Sequence, residues 1–301
     1  MDEPSGRSRP PARATPRVAL VSCREYPVGD EDGALLITAC TNAGLDAQWR
    51  VWDDHSVHWG SYDLVVLRAT WDYPSRRDEF VNWAESVPRL VNPADIVRWN
   101  TDKTYLQDLA DVGLPVVPTT WLGVGDSVHL PAAGEYVVKP AVGAGGRDTA
   151  RYRPEHADLA AKHAQRLLAE GRRVMVQPYL SAVDEVGETA LFYFGGEYSH
   201  AIRKGPLLIG PESLVDGLFR PESVSPREPA AAGLDVAERV LAAVPGGADR
   251  LLYARVDLLP DSAGAPQLLE LELTEPSFFL AYAPGAADRF ATVLARAGRA
   301  T

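Results

Sequence analysis

The sequence predicts an α/β protein whose later part is α+β: an N-terminal parallel βαβ unit, then central and C-terminal units made mostly of antiparallel pairs. Strand and helix signals alternate from Arg17 to about residue 100, as in a parallel sheet with crossover helices. From about residue 116 strands with short connections outnumber helices, which points to antiparallel pairing. The 301 residues, 46% of them hydrophobic, suffice for two or three small units around a large core.

Residues 1–16, MDEPSGRSRPPARATP, have no apolar segment and read as a disordered tail, not a signal peptide. Residues 17–100 form the first unit. RVALVSC is a short apolar run, GALLITACTNAG has helical periodicity with a glycine stop, DAQWRVW alternates, and YDLVVLRATW is a buried strand with a polar end. Ligands of parallel sheets sit at the carboxyl ends of strands, and RATWDY, residues 68–73, sits at such an end. Residues 101–180 form the second unit. Asn100 or Thr101 is expected to cap a helix running to Gly113, with Lys103 in its first turn and Pro115 at its exit. YVVKP, RDTARYR and RVMVQPYL read as strands around a helix near 155–170. In the third unit, residues 181–301, the strands are GETALFYF, YSHAIRK, LLYARVDLL and PQLLELEL, with helices near 230–244 and 284–298. The Pro- and Gly-rich stretch 205–229 reads as a loop that orders over a ligand.

Composition excludes several classes. A net charge of −11 and a pI near 5.1 repel nucleic acid and anionic membranes, so phosphate must be bound locally. No apolar run approaches the ~20 residues of a membrane span. Cys23 and Cys40 lack metal or disulfide spacing and read as buried free thiols of a reduced, cytoplasmic compartment.

Chemistry concentrates near the C-terminus. Period-2 alternation puts Arg255 and Asp257 on one strand face and Glu270, Glu272 and Thr274 on another. If these strands pair, three carboxylates and an arginine converge, a set that suits magnesium; the alternative is a solvated edge hairpin. Lys103, Lys139, Lys162 and Lys204 are the only lysines, and Lys139 directly follows an apolar strand. A fixed ammonium suits a phosphate oxygen, whereas Lys162 lies on a helix and reads as solvated. The loop VGAGGRD behind Lys139 has no Walker spacing and no helix behind it, so it reads as a hairpin flap. VMVQPYLSAVDE either exposes backbone groups to a flat base such as adenine or is an ordinary strand exit. Ser22, Ser199 and Ser213 lack a G-x-S-x-G setting, and His200 reads as structural or as a modest substrate contact.

The order of Lys103, Lys139, VGAGGRD, QPYL, HAIRK, RVDLL and LLELELTEP resembles the ATP-grasp ligases of the glutathione synthetase and RimK-like type, over roughly residues 17–298. RATWDY with ELELTEP is similar to the ligases that close O-ureido-D-serine to D-cycloserine. The resemblance implies an ATP-grasp fold enclosing ATP, with one or two Mg²⁺ ions. It implies that Lys103 and Lys139 hold phosphates under Gly143, Gly145 and Gly146, and that Gln177, Pro178, Tyr179 and Leu180 frame the adenine, with Glu185 at the ribose. Asp257 and Glu270 would ligate magnesium, joined by Glu272, where the family usually has Asn. Arg203 and Arg255 would steady the transferring phosphoryl or the substrate carboxylate, with Lys139 as the third catalytic cation. Arg68, Thr70, Trp71, Asp72 and Tyr73 would bind a small zwitterion, Arg68 its carboxylate and Asp72 its ammonium, while Glu275 suits a substrate amine.

The implied reaction is ADP-forming: a carboxylate becomes an acyl phosphate that nitrogen attacks, within one molecule or between two, which accounts for the lack of a protein nucleophile. The alternatives are an intermolecular amino-acid or dipeptide ligase, a nucleotide-binding regulatory protein without turnover, and a hydroxyl phosphotransferase. The expected partner is a small amino-acid-like substrate, bound by a monomer or homodimer.

Overall fold

A computed structural model describes residues 15–208, 210 and 223–300. Most of the expected tail, and the middle of the 205–229 loop, lie outside the described residues.

The first sheet is wholly parallel, as its alternating elements predict. β1 (Arg17–Ser22), α1 (Gly33–Asn42), β2 (Asp46–Val51) and β3 (Leu64–Ala69) lead through α2 (Arg77–Ser86) to β4 (Leu90–Val91), in the order β2-β1-β3-β4. Sequence reasoning missed α2. Its signals are Asp78 and Glu79 in the first turn, which favour the positive end of the helix, and Phe80, Val81 and Ala84 on the buried face.

The helix expected from Asn100 to Gly113 is two helices, α3 (Ala94–Asn100) and α4 (Tyr105–Asp111). Asn100 closes the first and caps nothing, because its amide is bonded to distant backbone. The break between them follows from Asp102, whose side chain accepts the Thr104 N–H at 3.0 Å in a local turn. Lys103 sits in that break, ahead of the helix rather than in it.

The second sheet is an antiparallel set in the order β5-β8-β6-β7: β5 (Thr120–Leu122), β6 (Tyr136–Pro140), β7 (Ala150–Tyr152) and β8 (Val174–Pro178), backed by α5 (Ala157–Ala169). The glycine loop joins β6 to β7 as a hairpin flap, and Val142 and Ala144 in it pack against the core cluster of the first sheet. Gly145 and Gly146 have φ of +64° and +71°, which glycine adopts without strain.

After the short α6 (Ala182–Glu185), the third sheet is antiparallel in the order β11-β10-β9-β12-β13. Its strands are β9 (Glu188–Phe194), β10 (Glu197–Lys204), β11 (Val224–Pro226), β12 (Tyr253–Pro260) and β13 (Pro266–Glu272). α7 (Ala231–Ala242) packs against β13, and α8 (Ala286–Ala300) runs back onto α1, β3, β9 and β10. The first and third sheets therefore share one core, in which Phe278 meets Phe290 at 4.7 Å and Phe194 at 4.9 Å, edge to face. Both cysteines are free and buried, and burial pushes Cys23 up to about 11 and Cys40 to about 12.

His200 belongs to this core. It stacks on Phe192 at 4.3 Å, donates Nε2–H to the Phe278 carbonyl at 2.9 Å and accepts the Ser199 hydroxyl at Nδ1. Burial holds its pKa down to about 4, against 6.5 for the free side chain. Between those values the unfolded chain binds the extra proton, so stability falls as pH drops from about 6.5 to 4, by at most about 3 kcal/mol from this residue. Urea midpoints at pH 7 and pH 4.5 should show that loss, and a His200→Leu variant should show less of it. An unchanged slope in the variant would place the titration elsewhere.

Candidate active site

The strand register brings the acidic positions together as the alternation predicts. Arg255 lies opposite Glu272 and Asp257 opposite Glu270, with a β-bulge immediately after Asp257. Arg255 donates Nε–H to Asp257 Oδ1 at 2.9 Å and Nη2–H to Asp257 Oδ2 at 2.7 Å, and reaches Glu272 Oε1 at 2.5 Å. Lys103 Nζ bridges Glu270 Oε1 at 3.0 Å and the Gly143 carbonyl of the flap at 2.7 Å. Lys204, at the end of β10, pairs with Glu188 at 3.0 Å and lies 3.7 Å from Asp257.

All of these groups except the buried Asp257 line one side of a cavity of about 210 Å³. Lys139 lines it too and differs from the other two lysines there: its ammonium makes no hydrogen bond or ion pair among the described residues. Burial, reinforced by the Lys103 charge and only partly offset by Glu270, brings its pKa down to about 8.

The flap glycines Gly143, Gly145 and Gly146 roof the cavity, and Gln177, Pro178, Tyr179 and Leu180 line its apolar end. The Gln177 side chain is spent on Thr119 Oγ1 at 2.9 Å, and the Tyr179 N–H on the Glu135 carbonyl. The Leu180 N–H has no partner among the described residues. Arg151 lies 3.5 Å above the Tyr179 ring and fixes its plane. Glu185 is exposed and does not line the cavity; its carbonyl accepts from Arg203.

The carboxylates separate into two kinds. Burial opposes charge on Asp257 and Glu270, yet Arg255 and Lys204 hold the first below its usual range, and Lys103 and Lys139 the second. Burial pushes Glu272 up to about 8, with Glu270 and Asp257 adding repulsion against the pull of Arg255. Glu275 is pushed up to about 7, again chiefly by burial. Among the described residues no three Asp, Glu, His or Cys side chains converge as a ready metal cage. Magnesium does not need one: it takes one or two carboxylates and completes its shell with phosphates and water. The ionised Glu270 in the cavity wall fits that pattern, and Asp257 joins it by exchanging a bond from Arg255 for the metal.

The segment after β13 is held by its backbone. Five consecutive carbonyls accept side-chain donors: Thr274 from Tyr253 at 2.9 Å, Glu275 from Trp71 at 3.1 Å, Pro276 from Arg68 at 2.6 Å, Ser277 from Arg255 at 3.5 Å, and Phe278 from His200. Asp32 then accepts the N–H groups of Leu280 and Ala281.

Several expected ligands therefore stand elsewhere. Arg68 is buried under Phe278, its guanidinium carbon 3.5 Å from the ring centroid, and does not line the cavity. Asp72 is taken by Trp52 Nε1 at 2.9 Å and Arg76 at 2.6 Å, so it offers no free charge to an ammonium. Thr70 is fully buried outside the cavity lining. Trp71 does line it, and the buried Tyr73 directs its hydroxyl to Glu275. Arg203 turns away to the Val186 and Glu185 carbonyls, because neighbours on a strand face opposite sides and Lys204 faces the cavity. We expect Lys204→Ala to slow ADP release at least about 10-fold, and Arg203→Ala to change it less than about 3-fold. The reverse ranking in steady-state rates would overturn this placement.

The chain is similar to known proteins along most of its length. Residues 18–92 match the family model of the D-cycloserine synthetase DcsG N-terminal domain. The cycloserine biosynthesis protein DcsG of Streptomyces lavendulae is 39% identical over 284 residues, spanning 88% of this chain and 93% of that protein. The crystal structure of D-cycloserine synthetase DcsG superposes with a TM-score of 0.83 at 37% identity, covering 94% of this chain and 99% of that one. D-alanine–D-alanine ligase from Bacillus anthracis, complexed with ATP, gives 0.64 at 15% identity over 92% of this chain and 94% of that one. The RimK domain ATP-grasp protein from Sphaerobacter thermophilus gives 0.63 at 17% identity, over 93% and 98%. The last two show the fold alone, which is ATP-grasp.

Proposed function

The chain belongs to the DcsG family of ATP-grasp ligases, and on that premise we propose that it closes O-ureido-D-serine to D-cycloserine, converting ATP to ADP. One observation carries the reading: the flap-covered Lys139, whose ammonium has no partner among the described residues, shares a single cavity with Glu270, the register mate of the buried Asp257, and with Trp71 and Glu275. Phosphoryl transfer and amino-acid binding thus have adjoining places. A regulatory protein without turnover or a dipeptide ligase is not favoured.

The adenine lies between the Gln177–Leu180 hinge and Leu269, where the Leu180 N–H offers a donor to a ring nitrogen. Lys103, Lys139 and Lys204 neutralise the phosphates. Magnesium, when bound by Asp257 and Glu270, would screen charge on the transferring group. The substrate carboxylate attacks the γ-phosphorus and ADP leaves. The nitrogen bonded to the side-chain oxygen of the same molecule then attacks the acyl carbon and gives up its proton as inorganic phosphate departs; the carbamoyl group on that nitrogen is released by water as ammonia and carbon dioxide, which leaves D-cycloserine. Glu275, positioned through Trp71 and Tyr73, takes the substrate ammonium. The flap excludes water that would otherwise hydrolyse the acyl phosphate.

ADP release with Mg²⁺ across a panel of small amino acids tests the reading. Release with O-ureido-D-serine, a cyclic product in the mass spectrum, and loss of both in Glu270→Ala support it. Release with D-alanine and a dipeptide product would replace it, and nucleotide binding without turnover would overturn it.

A further inference from the structure

β13 is the outer strand of its sheet, so the backbone groups of Leu271 and Leu273 point away from β12 with no strand to meet them. Side chains meet them instead. The Leu271 N–H donates to Tyr105 Oη at 2.9 Å, and the Leu271 carbonyl accepts from Asn100 Nδ2 at 2.7 Å. The Leu273 N–H donates to Asn100 Oδ1 at 2.8 Å, and its carbonyl accepts from Asn92 Nδ2 at 2.8 Å. Further back, Leu268 is paired with the backbone of Pro115 and Val117.

Asn100 is buried and spans two residues of the edge, donating at one and accepting at the next, as a peptide group of a further strand would. A one-residue slip of β13 would turn Glu270 and Glu272 to the opposite face. We propose that Asn100 is a positioning residue for the metal carboxylates, setting the register of β13 from the α3 end, with Asn92 and Tyr105 holding the flanks. The inference rests on Asp257 and Glu270 being the magnesium ligands. Lys103 follows three residues later and bonds Glu270 itself, so one short segment holds both the backbone and the side chain of the metal strand.

The test is Mn²⁺ binding in the presence of ADP, followed by the electron paramagnetic resonance of free Mn²⁺, together with hydrogen exchange at the Leu271 and Leu273 amides. Asn100→Ala is expected to weaken Mn²⁺ binding about 10-fold and to speed exchange at Leu273. Leu294→Ala, which opens a cavity in the core shared with the first sheet, should lower the melting temperature and leave Mn²⁺ binding unchanged. If Glu270→Gln weakens Mn²⁺ binding and Asn100→Ala does not, the positioning role is overturned alone. If Glu270→Gln has no effect, the metal site falls and the positioning role with it. Should Asn100→Ala not fold, Asn100→Asp, which keeps the acceptor for Leu273 and loses the donor to Leu271, must still weaken Mn²⁺ binding or the proposal fails.

Discussion

Replacing Lys139 with alanine is expected to lower kcat/KM for ATP by about 10²–10³-fold, the usual cost of removing one positioned donor from a developing charge. The reason is its isolation. Lys103 and Lys204 already have carboxylate partners, so a nucleotide must compete for them, whereas the Lys139 ammonium has none among the described residues. Burial, with the Lys103 charge beside it and only partly offset by Glu270, brings its pKa down to about 8. The protonated form is the one that meets phosphate. As pH rises through about 8 the free enzyme loses that cation, and kcat/KM for ATP falls. Lys139→Arg should remove the alkaline limb, because a guanidinium stays charged. An unaltered limb in that variant would assign the titration to another group.

Glu270→Gln is expected to raise the Mg²⁺ concentration for half-maximal ADP release at least about 10-fold and to cut kcat by about 10²-fold. Glu270 stays ionised against burial because Lys103 and Lys139 flank it. The amide removes a ligand charge and leaves Lys103 without its anionic partner, with only neutral oxygens to accept from it. Full activity at saturating Mg²⁺ would make Glu270 a partner of Lys103 and not a metal ligand.

Much of this was legible because strands carry a strict period of two. Alternation alone placed Arg255 with Asp257 and Glu270 with Glu272, and pairing of the two runs across a turn then forced them together. Lys139 was legible as a cation at a strand end. Period two does not say which face meets the cavity, and so Arg203 was expected where Lys204 stands. Glu188 was missed because it becomes visible only as the register mate of Lys204. In RATWDY, polar residues at a strand end looked like ligands. Asp72 is matched instead by Arg76 four residues on, a spacing that could have been noticed. Asn100 looked like a helix cap, and no local pattern reveals that its partners lie some 170 residues later, at Leu271 and Leu273.

The five held carbonyls of residues 274–278 also bear on how readily substrate preference can be altered. Their anchors come from β3 and the turn behind it, from β10 and from β12, and none from within the segment. The backbone path is thus specified by residues outside it, which leaves the side chains at Glu275 and Ser277 free to be exchanged without redesigning the loop. A library confined to those two positions would sample new acceptors on an unchanged scaffold. Randomising Trp71, Arg68 or His200 would damage the scaffold first.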